Sequence, residues 1–222
     1  MKRWIIGQVI IIIMVALIGQ ICRFNFSNCG IAGLKTVEDT LLLDCGVTYI
    51  FENGMYKNMK MYEDDYVNDM DQASIIVIGE PTGEIIQDGE RFGQEIIVKQ
   101  ILNDSGISEK DRFYVYNVDG FEMIDGKAMY YGGRSLMSKD SLYLIFLDTI
   151  PYDSVLPKKG YDLSGGFFSY LRLSNSISEP ILGQSGQINY NDIYQYEYFA
   201  ESQKILDQIY EIKNRIIDRF RP

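Results

Sequence analysis

Histidine is absent from the 222 residues. That excludes Ser-His-Asp triads and leaves a cysteine nucleophile without its usual base. Only three cysteines are present, Cys22, Cys29 and Cys45. Their spacing matches no zinc pattern, and without histidine no metal or cofactor site is expected. Basic residues are outnumbered, 21 against 31 acidic, for a net charge of −10. Such a balance repels nucleic-acid phosphates and argues against a nucleic-acid partner. No tandem repeat or low-complexity tract is evident.

What is present begins at the N-terminus. Residues 4–22, WIIGQVIIIIMVALIGQIC, hold no charge over nineteen positions. At about 1.5 Å per residue a helix of that length spans roughly 28 Å, the thickness of a bilayer core. Lys2 and Arg3 precede the run and Arg23 follows it. The positive-inside rule then places the short N-terminus in the cytoplasm and residues 24–222 outside. A cleaved signal peptide shares the order of basic flank and apolar run. Its apolar core is usually shorter, however, and the small-x-small cleavage pattern is poor at Leu17-Ile18-Gly19. Ile21 before Cys22 also spoils a lipobox. An uncleaved signal anchor over residues 1–23 is therefore the expectation, in a single-pass protein of the cell membrane. A buried core helix does not fit, because Val9 to Val15 has no polar face.

All 31 acidic residues follow Arg23, against 18 of the basic ones, so the outer part carries −13. This disfavours lying flat on anionic lipid. Cys29 and Cys45 fall in that part, where a disulfide can persist, and they form the candidate pair.

Residues 24–72 read as a juxtamembrane region. It holds a short helix near Val37–Leu43 capped by Thr36, with Asp39 in its first turn. A strand over residues 47–51 and an acidic helix over residues 61–72 complete it. From Ala73 to residue 190 five strand patterns are expected: 74–79, 94–102, 112–118, 141–147 and 166–173. Ser141–Leu147 is apolar on both faces and should be central. Short strands with glycine-rich turns and no long helix between them suggest a small barrel or sandwich. Ile76, Val77, Ile78, Val98, Val115, Leu144 and Phe146 are its expected core. Residues 191–222 read as an amphipathic helix, capped by Asn191 or Asp192. Its apolar seam includes Ile205, Ile209, Ile212 and Ile216, and Lys213, Arg215 and Arg219 suit its C-terminal end.

The candidate chemistry is sparse. Ser135, Ser138, Lys139 and Ser141 cluster, but Ser138 and Lys139 are neighbours, and strand neighbours face opposite ways. Asp64-Asp65 suits a carboxylate pair for a hydrolase or a cation, against the simpler reading of a solvated acidic helix. Asp69 and Asp71 lack the spacing of a calcium loop. No catalytic residue is assigned. Gly132-Gly133-Arg134 is the polar motif that stands out, since two glycines permit close backbone approach and arginine can hold a carboxylate. Arg134, with Tyr114 and Tyr116 of the expected third strand, makes the candidate ligand contact.

The block from Ala73 to Leu147 resembles a group of uncharacterised exported or membrane-anchored Gram-positive bacterial proteins. Their pattern is an Ala-Asp-x-Ile-Val-x-Gly strand, a Lys-x-x-Leu-Lys-Gly turn and a Gly-Gly … Leu-Met … Tyr-x-x-Phe-Leu closing stretch. The matching segments are ASIIVIG at 73–79, KQILND at 99–104 and GGRSLMSKDSLYLIFL at 132–147. Ser74 and Asn103-Asp104 depart from it. The strand order is also similar to the OB-type barrel of netrin-like and metalloprotease-inhibitor domains. The resemblance implies an OB-like β-barrel and offers no activity to carry over. The inhibitors of that class act through an N-terminal cysteine that has no counterpart here. Three function classes follow. The first is a binding or interaction module at the cell surface, with a protein partner there. The second is a carboxylate-dependent surface hydrolase. The third is a structural subunit of a membrane complex.

Overall fold

The computed structural model describes residues 14–15, 17–18, 31, 33–48, 55–88, 91–103, 106–116, 118–125, 127–149, 158–174, 179–180, 188–200 and 202–221. The expected span at residues 4–22 falls almost wholly outside them, with Met14, Val15, Leu17 and Ile18 helical and exposed. Among the described residues no helix is long and apolar enough to cross a membrane.

The chain is mainly β. In order it forms α1 (Val37–Thr40), β1 (Cys45–Thr48), a 3-10 turn (Met55–Tyr62), α2 (Glu63–Asp71), β2 (Ile75–Asp88), β3 (Arg91–Ile101), β4 (Arg112–Tyr116), β5 (Gly120–Ile124), β6 (Lys127–Tyr131), β7 (Tyr143–Asp148), β8 (Gly160–Leu163), β9 (Tyr170–Arg172), β10 (Glu179–Pro180), α3 (Tyr190–Ile193), β11 (Phe199–Ala200) and α4 (Gln203–Phe220).

The main sheet follows the order β2-β3-β4-β8-β7-β9, with a further pairing of β2 to β7. β2 serves two partners because it is long and bent. Its first residues pair with β7 and its later ones with β3, with register shifts at Ile78/Gly79 and between Pro81 and Ile85. Proline lacks the donor a regular ladder needs, and such breaks are where a strand tolerates it. β8 meets β4 over three parallel register pairs and β7 over two antiparallel ones. The sheet is thus strongly curled, but the expected barrel is not closed along its length. Two of its links run through the four residues of β8.

Period-2 alternation puts a core on each side of this sheet. Ile75, Val77, Tyr143, Ile145, Leu147 and Tyr170 face an inner core with Phe92, Ile96, Val98 and Val115. Ile76, Leu144, Phe146 and Leu171 face an outer core that α2 and α4 cover. β7 is buried at five of its six positions and pairs with β2, β8 and β9, as its two apolar faces require. Of the expected core residues only Ile78 is half-exposed, because it lines a surface cleft.

Ser74 and Asn103 hold the start of β2. Asn103 accepts the Ile76 N–H at 2.8 Å and donates to the Ser74 carbonyl at 3.2 Å, closing the start of β2. Ser74 in turn donates to Asp148.

Among the described residues, 36–48 and 59–71 pack against the rest of the chain. Thr36 caps α1 in a capping box with Asp39 and bridges to Glu84 of β2. β1 runs parallel to β6 in a three-stranded sheet, β1-β6-β5.

The terminal helix starts later than its sequence pattern predicts. Asn189 caps the four-residue α3, and the chain then extends into β11. Ser202 is the cap of α4, its Oγ accepting the Ile205 N–H at 3.4 Å. Phe199, which falls within the predicted helix over 191–222, is fully buried in β11, and its neighbour Tyr198 is fully buried as well. Ile205, Ile209, Ile212 and Ile216 lie in the outer core, so α4 packs on its own domain. Its outward side is tied down by ion pairs: Arg215 to Glu63 at 2.9 Å and to Asp64 at 2.7 Å, Lys60 to Glu211 at 2.8 Å, and Arg219 to Asp71.

Candidate functional site

The three residues singled out as ligand contacts are not a surface patch. Tyr116 is fully buried, and its phenol donates to the Lys158 carbonyl at 3.0 Å. Tyr114 is also buried, donating to Glu84 at 3.3 Å. Burial, with the nearby Glu95 and Glu84 carboxylates, pushes the Tyr114 phenol up to about 12. Each ring has its polar end spent on the protein.

Arg134 lies elsewhere and deeper. Its Nε meets Asp119 at 2.8 Å, its guanidinium donates to the Phe167 carbonyl and to Ser169 Oγ, and it stacks over the Tyr170 ring at 3.7 Å. Burial raises the Asp119 carboxyl above its ordinary range, while Arg134 pulls it back down. The motif's glycines serve this packing. A Cβ on Gly132 would stand 3.0 Å from the Asp119 side chain, and the Gly133 carbonyl accepts the Phe199 N–H at 3.0 Å. Arg134 is therefore buried where it joins the 132–135 segment to β9 and β11. With each guanidinium nitrogen donating, to a carboxylate, a carbonyl and a hydroxyl, it acts as a bracket.

The other sequence candidates are engaged as well. Asp64 and Asp71 are held by arginines of α4. Among the described residues no group of three His, Cys, Asp or Glu side chains is placed to hold a metal ion. Cys45 is a free thiol, fully buried, donating to the Gly46 carbonyl at 3.6 Å. Burial and the Asp44 carboxylate push it up to about 12. Cys29, its candidate partner, lies outside the described residues. Ser138 accepts from Arg172 and lies 3.1 Å from the Tyr143 phenol.

That last contact leads to the site the residues do build. β9 ends at Arg172, and the chain continues as Leu173-Ser174 beside α4. Between them lies a cleft of about 440 Å³, lined by Arg172, Ser174, Lys213, Asn214 and Arg221, with Leu173, Tyr210 and Ile217 as its apolar part and Asp218 as its one carboxylate. Three cations against one carboxylate in the lining set this cleft apart on a chain of net −10.

Each cation is held differently. Arg172 donates through Nε to the Tyr143 phenol at 3.1 Å, and its backbone N–H donates to Glu197 at 2.9 Å. Lys213 pairs with Glu197 at 2.6 Å, both side chains almost fully buried. Burial holds the Lys213 ammonium below its usual pKa, Glu197 raises it, and Arg172 adds to the lowering. Arg221 is exposed at the mouth and makes no ion pair with the described residues. Lys213 is thus neutralised by Glu197 and Arg172 is held by Ser138 and the Tyr143 phenol, while Arg221 has no ion-pair partner among the described residues.

The compared proteins add nothing to this geometry. No protein-family model and no curated protein matches the chain. The candidate site therefore stands on its own chemistry: a positively lined, partly apolar cleft with a serine, an asparagine and a tyrosine at its wall.

Sequence reasoning placed Lys213 at the helix end as a partner for the dipole and overlooked Arg172 and Arg221. One signal was present. Leu206, Lys213 and Phe220 fall seven apart on one face of α4, and a lysine between two apolar seam positions asks for a buried partner. That the partner is Glu197, and that Arg172 joins it, depends on tertiary approach.

Proposed function

We propose that this chain is a membrane-anchored, extracytoplasmic binding module. In this reading an OB-type barrel forms one wall of the ligand cleft and α4 the other, and the bound group is anionic. The observation that carries it is the juxtaposition of Arg172, Lys213 and Arg221 around one opening of an acidic protein. The electrostatic field would draw an anion to that opening and repel it elsewhere.

The strand order supports the OB-type assignment. β2, β3 and β4 are joined as a meander, β8 lies parallel to β4, and β7 returns to pair with β2. OB-folds are partly open five-stranded barrels that bind ligands on their loops and one face. The uncharged run at residues 4–22 supports the anchor, and the −13 outer part supports exposure to solvent rather than to anionic lipid. A surface hydrolase built on Asp64 finds less support, since Arg215 neutralises that carboxylate.

Arginine modification tests the cleft. The full chain in nonionic detergent is treated with phenylglyoxal, and the rate at Arg221 is followed by peptide mass. Acetate or inorganic phosphate should slow it saturably, while Arg215 and Arg219, which are ion-paired outside the cleft, serve as references. Equal rates with and without anion would remove the reading. Carbonate extraction and external protease on intact cells test the anchor. Release of the chain from the membrane by carbonate would reject it.

A further inference from the structure

A second cleft continues from the first. It has a volume of about 290 Å³ and is lined by Ile78, Leu102, Leu144, Leu173, Ile217, Phe220 and Arg221. Leu173, Ile217 and Arg221 line both clefts. The surface beside α4 is therefore one groove with a cationic half and an apolar half, and Arg221 stands at the junction. Small-molecule sites usually measure about 300–1,000 Å³, so the two halves together fall within that range.

The geometry points to a single-chain carboxylate amphiphile, a free fatty acid, as the ligand of this groove. The inference rests on the anionic reading of the cleft and adds the apolar half. The head group is a monoanion because the cations are unequally available. Lys213 is spent on Glu197, and Arg172 on Ser138 and the Tyr143 phenol. Arg221 is the cation without an ion-pair partner among the described residues, and a guanidinium matches a carboxylate with two parallel N–H bonds. Asp218 on the same wall adds a repulsion that a dianionic phosphate would feel more strongly than a carboxylate. The tail lies on Leu173 and Ile217 and runs over Ile78, Leu102, Leu144 and Phe220. These are side chains that the fold leaves at the surface or just beneath it, between the end of α4 and the outer face of β2 and β7. An apolar half of about 290 Å³ suits one acyl chain. Binding removes that apolar lining from water, and the carboxylate supplies the charge that an uncharged chain would lack.

The test uses the full chain in nanodiscs of zwitterionic lipid. A diazirine-bearing C14 fatty acid is the probe, its methyl ester is the uncharged control, and labelled peptides are mapped by mass. Labelling is expected within residues 171–174 and 217–221, competed by unlabelled myristate and at least about tenfold weaker for the ester. Arg221→Glu should reduce it by a similar factor, while Arg221→Lys retains part. Leu102→Asp, checked by its melting transition for an intact fold, should also abolish labelling. Equal labelling by acid and ester, or labelling unaffected by Arg221→Glu, would overturn the proposal. If inorganic phosphate protects Arg221 from phenylglyoxal but the fatty acid does not label the groove, the amphiphile is refuted while the anion cleft stands. If neither occurs, both fall.

Discussion

Lys213→Met isolates the buried ion pair that supports the cleft. The Lys213 and Glu197 side chains are 4% and 6% exposed and meet at 2.6 Å. Methionine keeps much of the lysine stem's volume, so the substitution removes chiefly the charge. Glu197 then keeps one partner, the Arg172 backbone N–H at 2.9 Å, and loses its counter-charge. Removing one partner of a buried pair costs about 3–5 kcal/mol, because the other charge stays buried and uncompensated. For a domain of this size each kcal/mol lowers the melting temperature by roughly 2–4 °C, so a fall of about 6–20 °C is expected. Lys213→Met with Glu197→Gln removes both charges, and the glutamine oxygen can still accept the Arg172 N–H. Replacing a whole buried pair is often neutral or stabilising. The double variant should therefore recover to within about 1 kcal/mol of the parent. Urea denaturation of the full chain and both single and double variants gives the coupling energy directly. A loss below about 1 kcal/mol for Lys213→Met, or a double variant no better than the single one, would refute the argument that the pair's value lies in mutual neutralisation.

Other expectations concern stability and reactivity. The Cys45 thiol, raised from 9.0 to about 12 by burial, should resist iodoacetamide in the native state and react on unfolding, as peptide mass would record. Its protonated form is held in the folded state, so its contribution to stability is complete below about pH 9 and is lost as pH rises towards 12. Reaction of Cys45 in the folded chain at pH 8 at the rate of a free thiol would contradict this. Leu144→Ala and Ile209→Ala, from the sheet and helix sides of the outer core, should each cost about 2–5 kcal/mol by denaturant titration, and a loss below about 1 kcal/mol would place the side chain outside the packing. Gly160→Ala should destabilise the β4–β8 link, because a Cβ there would meet the Tyr114 carbonyl and the Tyr116 ring well inside contact distance. An unchanged circular dichroism melt would show that this link carries little.

What was legible in the sequence follows from period and chemistry. β7 announced itself by apolar residues on both faces, and Thr36 and Asp39 by their capping spacing. The seam of α4 was plain because isoleucines recur at three and four. The β5–β6 hairpin was overlooked although Asp125-Gly126 carries its turn signal. Asp125 indeed has a positive φ of 49°, as a hairpin turn of the primed type requires. The stretch 166–173 read as one strand because it is aromatic and apolar. Gly165 and Gly166 instead adopt left-handed φ values of 80° and 63°, which start a 3-10 turn and leave only Tyr170–Arg172 extended. The four-residue β8 is too short to show a period. The cleft was illegible because its cations, Arg172, Lys213 and Arg221, come from two elements whose approach is set by the packing of α4. Arg134 misled for the opposite reason. A glycine-flanked arginine reads alike whether it faces solvent or a buried aspartate.

The placement of β7 has a kinetic consequence. One face of this strand supports the inner core and the other the outer core, while its edges are bonded to β2, β8 and β9. Neither core can open without exposing it. Local fluctuations that free α4 leave its inner face covered, and those that part β8 leave its outer face covered. Its amides should therefore exchange with solvent only when the whole domain unfolds, whereas those of β8, held by five register pairs in all, exchange through smaller openings. The protein would then combine one slow-exchanging strand, whose Leu144 lines the apolar half of the groove, with a looser margin.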